Sequence, residues 1–232
     1  MLEQLPQAKW FKGRKGPLVL VVMDGIGYGK LAAGDAVAAA NTPVLDWLHA
    51  NCPNTRLKAH GTAVGLPTDD DMGNSEVGHN AIGAGRVFDQ GAKLVNKSIA
   101  SGAMFSGQAW REVVDNVCTR GSSLHFLGLF SDGNVHSHID HLKGMLQKAA
   151  DQGVKKIRVH ILLDGRDVDK TSALEYVLPF EDFLAEARAG GCDARIASGG
   201  GRMKITMDRY NANWGMVERG WRTHVLGEGR QV

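Results

Sequence analysis

Four short apolar runs in this 232-residue chain each end in a polar, glycine-rich loop, and that repetition restricts the fold more than any other feature. The loops are Met23-Asp24-Gly25, the segment SDGNVHSH from Ser131 to His138, Asp164-Gly165-Arg166-Asp167, and Ser198-Gly199-Gly200-Gly201-Arg202. The runs before them are Pro17 to Met23, Leu124 to Phe130, Lys156 to Leu163 and Ala194 to Ser198. Their length and continuous or alternating apolarity predict strands of an α/β sheet. Between the last three lie helical stripes. Ile139, Leu142, Met145, Leu146 and Ala149 form one, ended by Gly153, and Ser172 to Arg188 forms another, with a break or kink expected at Pro179. Strand, helix, strand, helix, strand is the pattern of a mainly parallel sheet. Parallel strands bring their carboxyl ends to one edge, where open α/β sheets bind ligands.

The rest of the chain extends this frame. Thr42-Pro43 predicts a helix start, with Val44, Leu45 and Leu48 on its buried face, and Thr55 to His60 reads as a short strand. Trp110, Val113, Val114 and Val117 fall at helical spacing behind Ser106, the expected cap. A second unit begins near Phe88 to Gly91, which divides the chain into residues 1–88 and 89–232. Net charge is +2 with no dense basic run, so nucleic acid is not an obvious partner. No run approaches the ~18 apolar residues of a membrane helix, and the N-terminus lacks the apolar core of a secretory signal. Cys52, Cys118 and Cys192 are odd in number and far apart, which argues for a reducing compartment and a cytoplasmic protein.

The segment LPTDDDMGNSEVGH, Leu66 to His79, carries the most distinctive chemistry. Asp69, Asp70 and Asp71 run into a Gly-Asn-Ser turn, and Val77, Ala81 and Ile82 follow Ser75 at helical spacing. Ser75 therefore stands at a helix start, where free N–H groups and the dipole favour an anion. Two roles fit: a simple helix cap, or a hydroxyl that receives a phosphoryl group near a metal. Asp24 likewise is either a turn residue or, at a strand's carboxyl end, an oxygen ligand for a hard divalent cation. In the other loops, Arg166, Arg202 and Arg209 offer forked donors to phosphate or carboxylate, and Asp167 can accept from a hydroxyl. His136 lies inside its loop, whereas His138 and His141 are on the following helix. The H-x-H-x-x-H spacing is a weak zinc pattern, and surface or capping roles suit those two better.

MGNSEVGH, SDGNVHSH, DGRD and SGGGRMKITMDRY, in this order, resemble the successive motifs of cofactor-independent phosphoglycerate mutase, a metal enzyme of the alkaline-phosphatase superfamily. The triple glycine is similar to the plant and trypanosomatid branch. The resemblance implies an alkaline-phosphatase-like α/β segment followed by an inserted α/β substrate, or transferase, domain. It implies Ser75 as the transiently phosphorylated nucleophile and a metal ligand, and Asp24 as a ligand of the same metal. His136, Arg166, Asp167, Arg202 and Arg209 would hold 3-phosphoglycerate and 2-phosphoglycerate. Two divalent ions, manganese with magnesium or cobalt as substitutes, would be the cofactors, without 2,3-bisphosphoglycerate, in a monomer.

Members of that family are longer, and their later part returns to the first domain with further metal ligands, arginines and a lysine. The sequence VERGWRTHVLGEG is similar to the family's mid-domain sequence, so the chain is expected to stop inside the second domain and to be inactive alone. Two other readings stand beside the mutase. One is a metal-dependent phosphatase of the same superfamily, which would hydrolyse the phosphoserine. The other is a non-catalytic fragment that binds a phosphorylated ligand or a partner.

Overall fold

The computed structural model describes residues 9–205, 211 and 213–231. Its backbone separates into two compact units, one ending at Arg56 and the other beginning at Leu57. In the first, a 3-10 turn at Ala32–Gly34 leads into α1 (Ala36–Ala39) and α2 (Pro43–Asn51). Asp35 caps α1 by accepting from the Ala38 and Gly29 amides, each at 2.9 Å, and those donors hold its carboxyl below the ordinary range. Pro43 opens α2 as expected, but the Thr42 hydroxyl donates to Asp46 Oδ1 (3.1 Å) and does not cap.

Two strands expected in this region do not form. Residues 17–23 form no strand and are unpaired among the described residues, with Leu18 at 90% exposure, and residues 55–60 pair with no strand either. An apolar run states only a demand for burial. A strand also requires a neighbour for its backbone donors and acceptors. For the same reason the expected buried face of α2 is open: Val44 and Leu48 are exposed and Leu45 is half-buried.

The second unit holds the predicted sheet. Its first helices are α3 (Ser75–Ala84), α4 (Gly91–Ala100), α5 (Ala103–Ser106) and α6 (Gln108–Arg120). Ser106 does not cap α6. It ends α5, bonding back to Ala103 O, and Gly107 takes the cap position. Val114 and Val117 of α6 are buried, whereas Val113 is exposed. There follow β1 (Leu124–Phe130), α7 (Ile139–Asp151), β2 (Lys156–Leu163), α8 (Ala173–Ala189), β3 (Asp193–Gly201) and α9 (Trp214–His224). The three strands are parallel in the order β1-β2-β3. Phe130, Leu146, Ile157, Val159, Phe180, Leu184 and Ala194 form the core against one face of this sheet, with Phe130 and Phe180 edge to face at 4.9 Å.

Two local features differ from expectation. The helix of α8 continues through Pro179 without a break. Phe180 and Leu184 are wholly buried, and each supplies ~1.5–3 kcal/mol of burial against a proline cost of about 3 kcal/mol. The triple glycine is strand, not loop. After a bulge between Val159 and His160, Gly199 pairs with Ile161, and a Cβ on Gly199 would stand 2.6 Å from Ile161 Cγ1.

The face of β2 away from this core carries a polar row. His125 Nδ1 lies 2.9 Å from His160 Nε2, and Ser198 Oγ is 2.6 Å from His160 Nδ1 and 2.7 Å from His224 Nδ1 on α9. Burial, helped by the neighbouring His125 and His224, holds His160 below the ordinary histidine value, and burial does the same for His224. The folded state thus prefers both rings neutral. Its stability is complete above the ordinary value of 6.5 and declines as pH falls below it, because the unfolded chain then binds protons that the fold refuses. Melting temperature should drop on acidification from pH 6.5, and His160→Gln should flatten that part of the profile. An unchanged profile in the variant would show that the row does not couple to folding.

Candidate active site

Three of the four polar loops meet at the carboxyl edge of this sheet, at the ends of β1, β2 and β3. Their organiser is Asp164, whose side chain is fully buried. The Ser131 hydroxyl donates to its Oδ2 at 2.6 Å, and the Arg166 and Asp167 amides donate to Oδ1 at 3.1 Å. Arg202 Nη1 lies 3.4 Å from the same Oδ1 and donates to Asp167 Oδ2 at 3.2 Å. Burial alone would raise the Asp164 carboxyl. The Ser131 hydroxyl, the two amides and the Arg202 charge outweigh it, so its pKa lies below the ordinary 3.8. The result is a fixed, 14%-exposed Arg202 side chain beside a half-buried Asp167. His136 and Arg166 are exposed at the same edge, free of the constraint that locks Arg202.

Tyr176 of α8 closes this side. Its hydroxyl donates to Asp132 Oδ1 at 2.8 Å, and burial with the adjacent Asp132 pushes the phenol up to about 12. Phe130, Asp164, Gly165, Ser172, Tyr176 and Gly201 line a cavity of about 130 Å³. His138 caps α7 by accepting from the Asp140 amide at 3.2 Å, as the capping reading expects. His141 Nε2 stands 2.5 Å from Asn96 Oδ1 on α4, and burial lowers its pKa. Among the described residues, no group of three or more His, Cys, Asp or Glu is arranged to hold a metal ion.

The Ser75 turn belongs to the same unit. Ser75 is the first residue of α3, and Asn74, not Ser75, is its cap, accepting from the Val77 amide at 3.1 Å. A Cβ on Gly73 would fall 1.9 Å from Ala59 O, so the turn presses onto backbone that only glycine can meet. Gln90 is buried behind the helix and donates to Val64 O and Val77 O. The exposed Ser75 Oγ is 3.2 Å from His79 Nδ1, but that nitrogen also lies 2.7 Å from Ser75 O. A carbonyl can only accept, so Nδ1 carries the proton and cannot take one from the serine. Asn134 of the 131–138 loop donates to Asp71 Oδ1, tying the Ser75 segment to the sheet edge.

Asp24 lies in the first unit, exposed in a turn with Gly25 at φ 77°. Carboxylate and hydroxyl are hard oxygen donors, so Asp24 and Ser75 suit a divalent cation in kind. Arg209 lies outside the described residues. Asp164, Ser131, His79 and Tyr176 are not among the site residues expected from the sequence. For Asp164 a signal existed: Asp-Gly directly after a buried strand is the composition of a turn whose carboxylate gathers backbone amides.

The chain is similar to known proteins over nearly its whole length. A protein from Leptospira interrogans named probable 2,3-bisphosphoglycerate-independent phosphoglycerate mutase is 59% identical over 222 residues, 95% of this chain and 40% of its own length. The 2,3-bisphosphoglycerate-independent phosphoglycerate mutase of Trypanosoma brucei is 54% identical over 92% of this chain and 39% of its own. A crystal structure of Leishmania mexicana phosphoglycerate mutase at low cobalt concentration superposes with a TM-score of 0.79 at 52% identity, covering 90% of this chain and 38% of that one. The chain thus spans about two fifths of the length of the relatives it matches. With the family described as BPG-independent PGAM N-terminus matching residues 95–232, more than half of its length, the chain belongs to that family.

Proposed function

We propose that this chain is the N-terminal part of a phosphoglycerate mutase that interconverts 3-phosphoglycerate and 2-phosphoglycerate through a phosphoserine at Ser75. Residues 1–88 would serve the metal and phosphoserine segment and residues 89–232 the substrate domain. The observation that carries the reading is the Ser75 hydroxyl, exposed on the first turn of α3 in a segment bonded to a sheet edge that presents arginines. Asp24 and Ser75 would be this chain's ligands for divalent cations, manganese first with magnesium or cobalt as substitutes. Such a cation supplies a Lewis acid that lowers the pKa of a bound hydroxyl.

This chain's own residues do the rest. The Ser75 oxygen attacks phosphorus as its hydroxyl gives up a proton to solvent, the bond from phosphorus to the glycerate oxygen breaks and that oxygen takes up a proton from solvent, while the amides at the start of α3 favour the phosphoryl charge. Arg202, locked by Asp164 and Asp167, is a preorganised donor fork for substrate oxygens. Arg166 and His136, exposed on their loops, follow the glycerate as it reorients, and Asp167 receives the proton of the second hydroxyl before that oxygen takes the phosphoryl back. Arg209 would add a further cationic contact. No helix among the described residues is long and apolar enough to cross a membrane. The free thiols of Cys52, Cys118 and Cys192 suit a reducing, cytoplasmic setting, and the protein would act there as a monomer.

The test extends this chain with the remaining portion of the Trypanosoma brucei relative. With manganese and without 2,3-bisphosphoglycerate, an enolase-coupled assay should register turnover of 3-phosphoglycerate, and chelation should abolish it. Release of inorganic phosphate in place of isomerisation would establish the phosphatase instead. Binding without either reaction would establish the non-catalytic fragment.

A further inference from the structure

Asp71 occupies the joint between the two halves of the site. Its Oδ2 accepts from the Thr68 amide (2.6 Å) and hydroxyl (2.9 Å), its Oδ1 accepts from Asn134 Nδ2, and its backbone carbonyl accepts from the Gly61 amide at 3.0 Å. Burial would raise this carboxyl, but Asn134, the two Thr68 donors and the nearby His138 keep it below the ordinary range, so it is an anion at neutral pH. Asn134 holds φ 55°, a left-handed conformation that asparagine tolerates better than most residues. It stands two residues before His136. The adjacent Gly133 amide donates to Ser131 Oγ at 3.0 Å, and Ser131 donates in turn to Asp164. Covalent and hydrogen bonds thus run unbroken from the Ser75 turn to the carboxylate that locks Arg202. On the other side, only Met72, Gly73 and Asn74 separate Asp71 from Ser75. Gly73 is wedged on Ala59, and Asn74 is committed to the α3 cap.

We propose that Asp71 is a positioning residue that clamps the Ser75 turn to the 131–138 loop and thereby fixes the distance between the nucleophile and the groups holding the substrate. The proposal rests on the mutase reading above. Phosphoryl transfer depends on placement more than on acid–base strength, and a 1 Å error in placement can cost on the order of a hundredfold in rate. Substrate affinity resides elsewhere, in the arginines and Asp167.

The test uses the exchange of the two partners. In the extended protein, Asp71→Asn should lower kcat by about 10- to 100-fold with KM changed less than about twofold. Asn134→Asp, which sets two carboxylates face to face, should lower kcat at least as far. In the double variant, donor and acceptor trade places. The amide introduced at position 71 keeps its oxygen for Thr68 and turns its nitrogen toward the carboxylate introduced at position 134, so most of kcat should return. A residue that merely stabilised the fold would move the melting temperature and leave this kcat-against-KM pattern unmarked. Unchanged kcat in Asp71→Asn, or a double variant no better than the singles, overturns the clamp. If the unsubstituted extended protein shows no turnover, the mutase reading fails. The clamp is then decided in the 232-residue chain by amide exchange: Asp71→Asn should speed exchange at Gly133, and unchanged exchange there overturns it.

Discussion

Ser75→Ala in the extended protein is expected to abolish mutase turnover, a loss of about a thousandfold or more on the scale seen when a covalent nucleophile is removed. Its stability should stay within about 0.5 kcal/mol of the parent. The two expectations have separate structural grounds. Asn74, not Ser75, supplies the side-chain cap of α3, and the Ser75 side chain is exposed, so alanine removes no packing and no bond to the α3 amides. Asn74→Ala is the matched control: it should cost ~1 kcal/mol of stability by freeing the Val77 amide. The geometry also excludes one route to activation. His79 Nδ1 is committed as a donor to the Ser75 carbonyl, so His79→Ala should not reproduce the Ser75→Ala loss. A Ser75→Ala protein that turns over at the parental rate would make the residue structural. Equal losses in His79→Ala would restore that ring as the base.

What could be read from the sequence follows how local each signal is. The bounds of β1 and β2 matched their apolar patterns because both strands are central to one core, and periodicity reports that burial directly. β3 outran its pattern by three glycines, and the first of them, Gly199, is required by Ile161 on the neighbouring strand, a contact no local window contains. Pro17 to Met23 was the reverse case. Its apolarity was legible, but pairing is a property of two segments, and none of the described residues pairs with it. The caps of α3 and α6 each shifted by one residue, because Asn and Ser, or Ser and Gly, compete for the same position. In the site, the charged groups that would face a ligand were visible as residue types in polar loops. The groups that hold them were not: Asp164, Ser131 and Asn134 act through burial and mutual hydrogen bonds that exist only once three loops share an edge. Asp164 shows the difference most sharply, since DGRD was legible as a motif while its first residue does the holding.

Asp164→Ala should have the largest effect on the fold of any substitution at the sheet edge. It strips an acceptor from the Ser131 hydroxyl and from the Arg166 and Asp167 amides, and removes a carboxylate from the nearly buried Arg202. Removing one partner of a buried ion pair costs about 3–5 kcal/mol, because the charge left behind keeps its desolvation penalty. Arg202 retains Asp167, which places the expected loss toward the lower end of that range. Asp164→Asn keeps the shape and one acceptor but not the charge, so about half of that loss is expected. The pH dependence separates the charge from the shape. With its folded pKa depressed below 3.8, the carboxylate contributes stability that is present above that value and lost as pH falls through the folded one. Urea denaturation of the 232-residue chain followed by circular dichroism should therefore show a steep acid limb in the parent and a shallower one in Asp164→Asn. A loss under about 0.5 kcal/mol in Asp164→Ala would mean that Ser131 and the two amides find water instead. Arg202 would then owe its position to Asp167 and the Leu163 carbonyl alone.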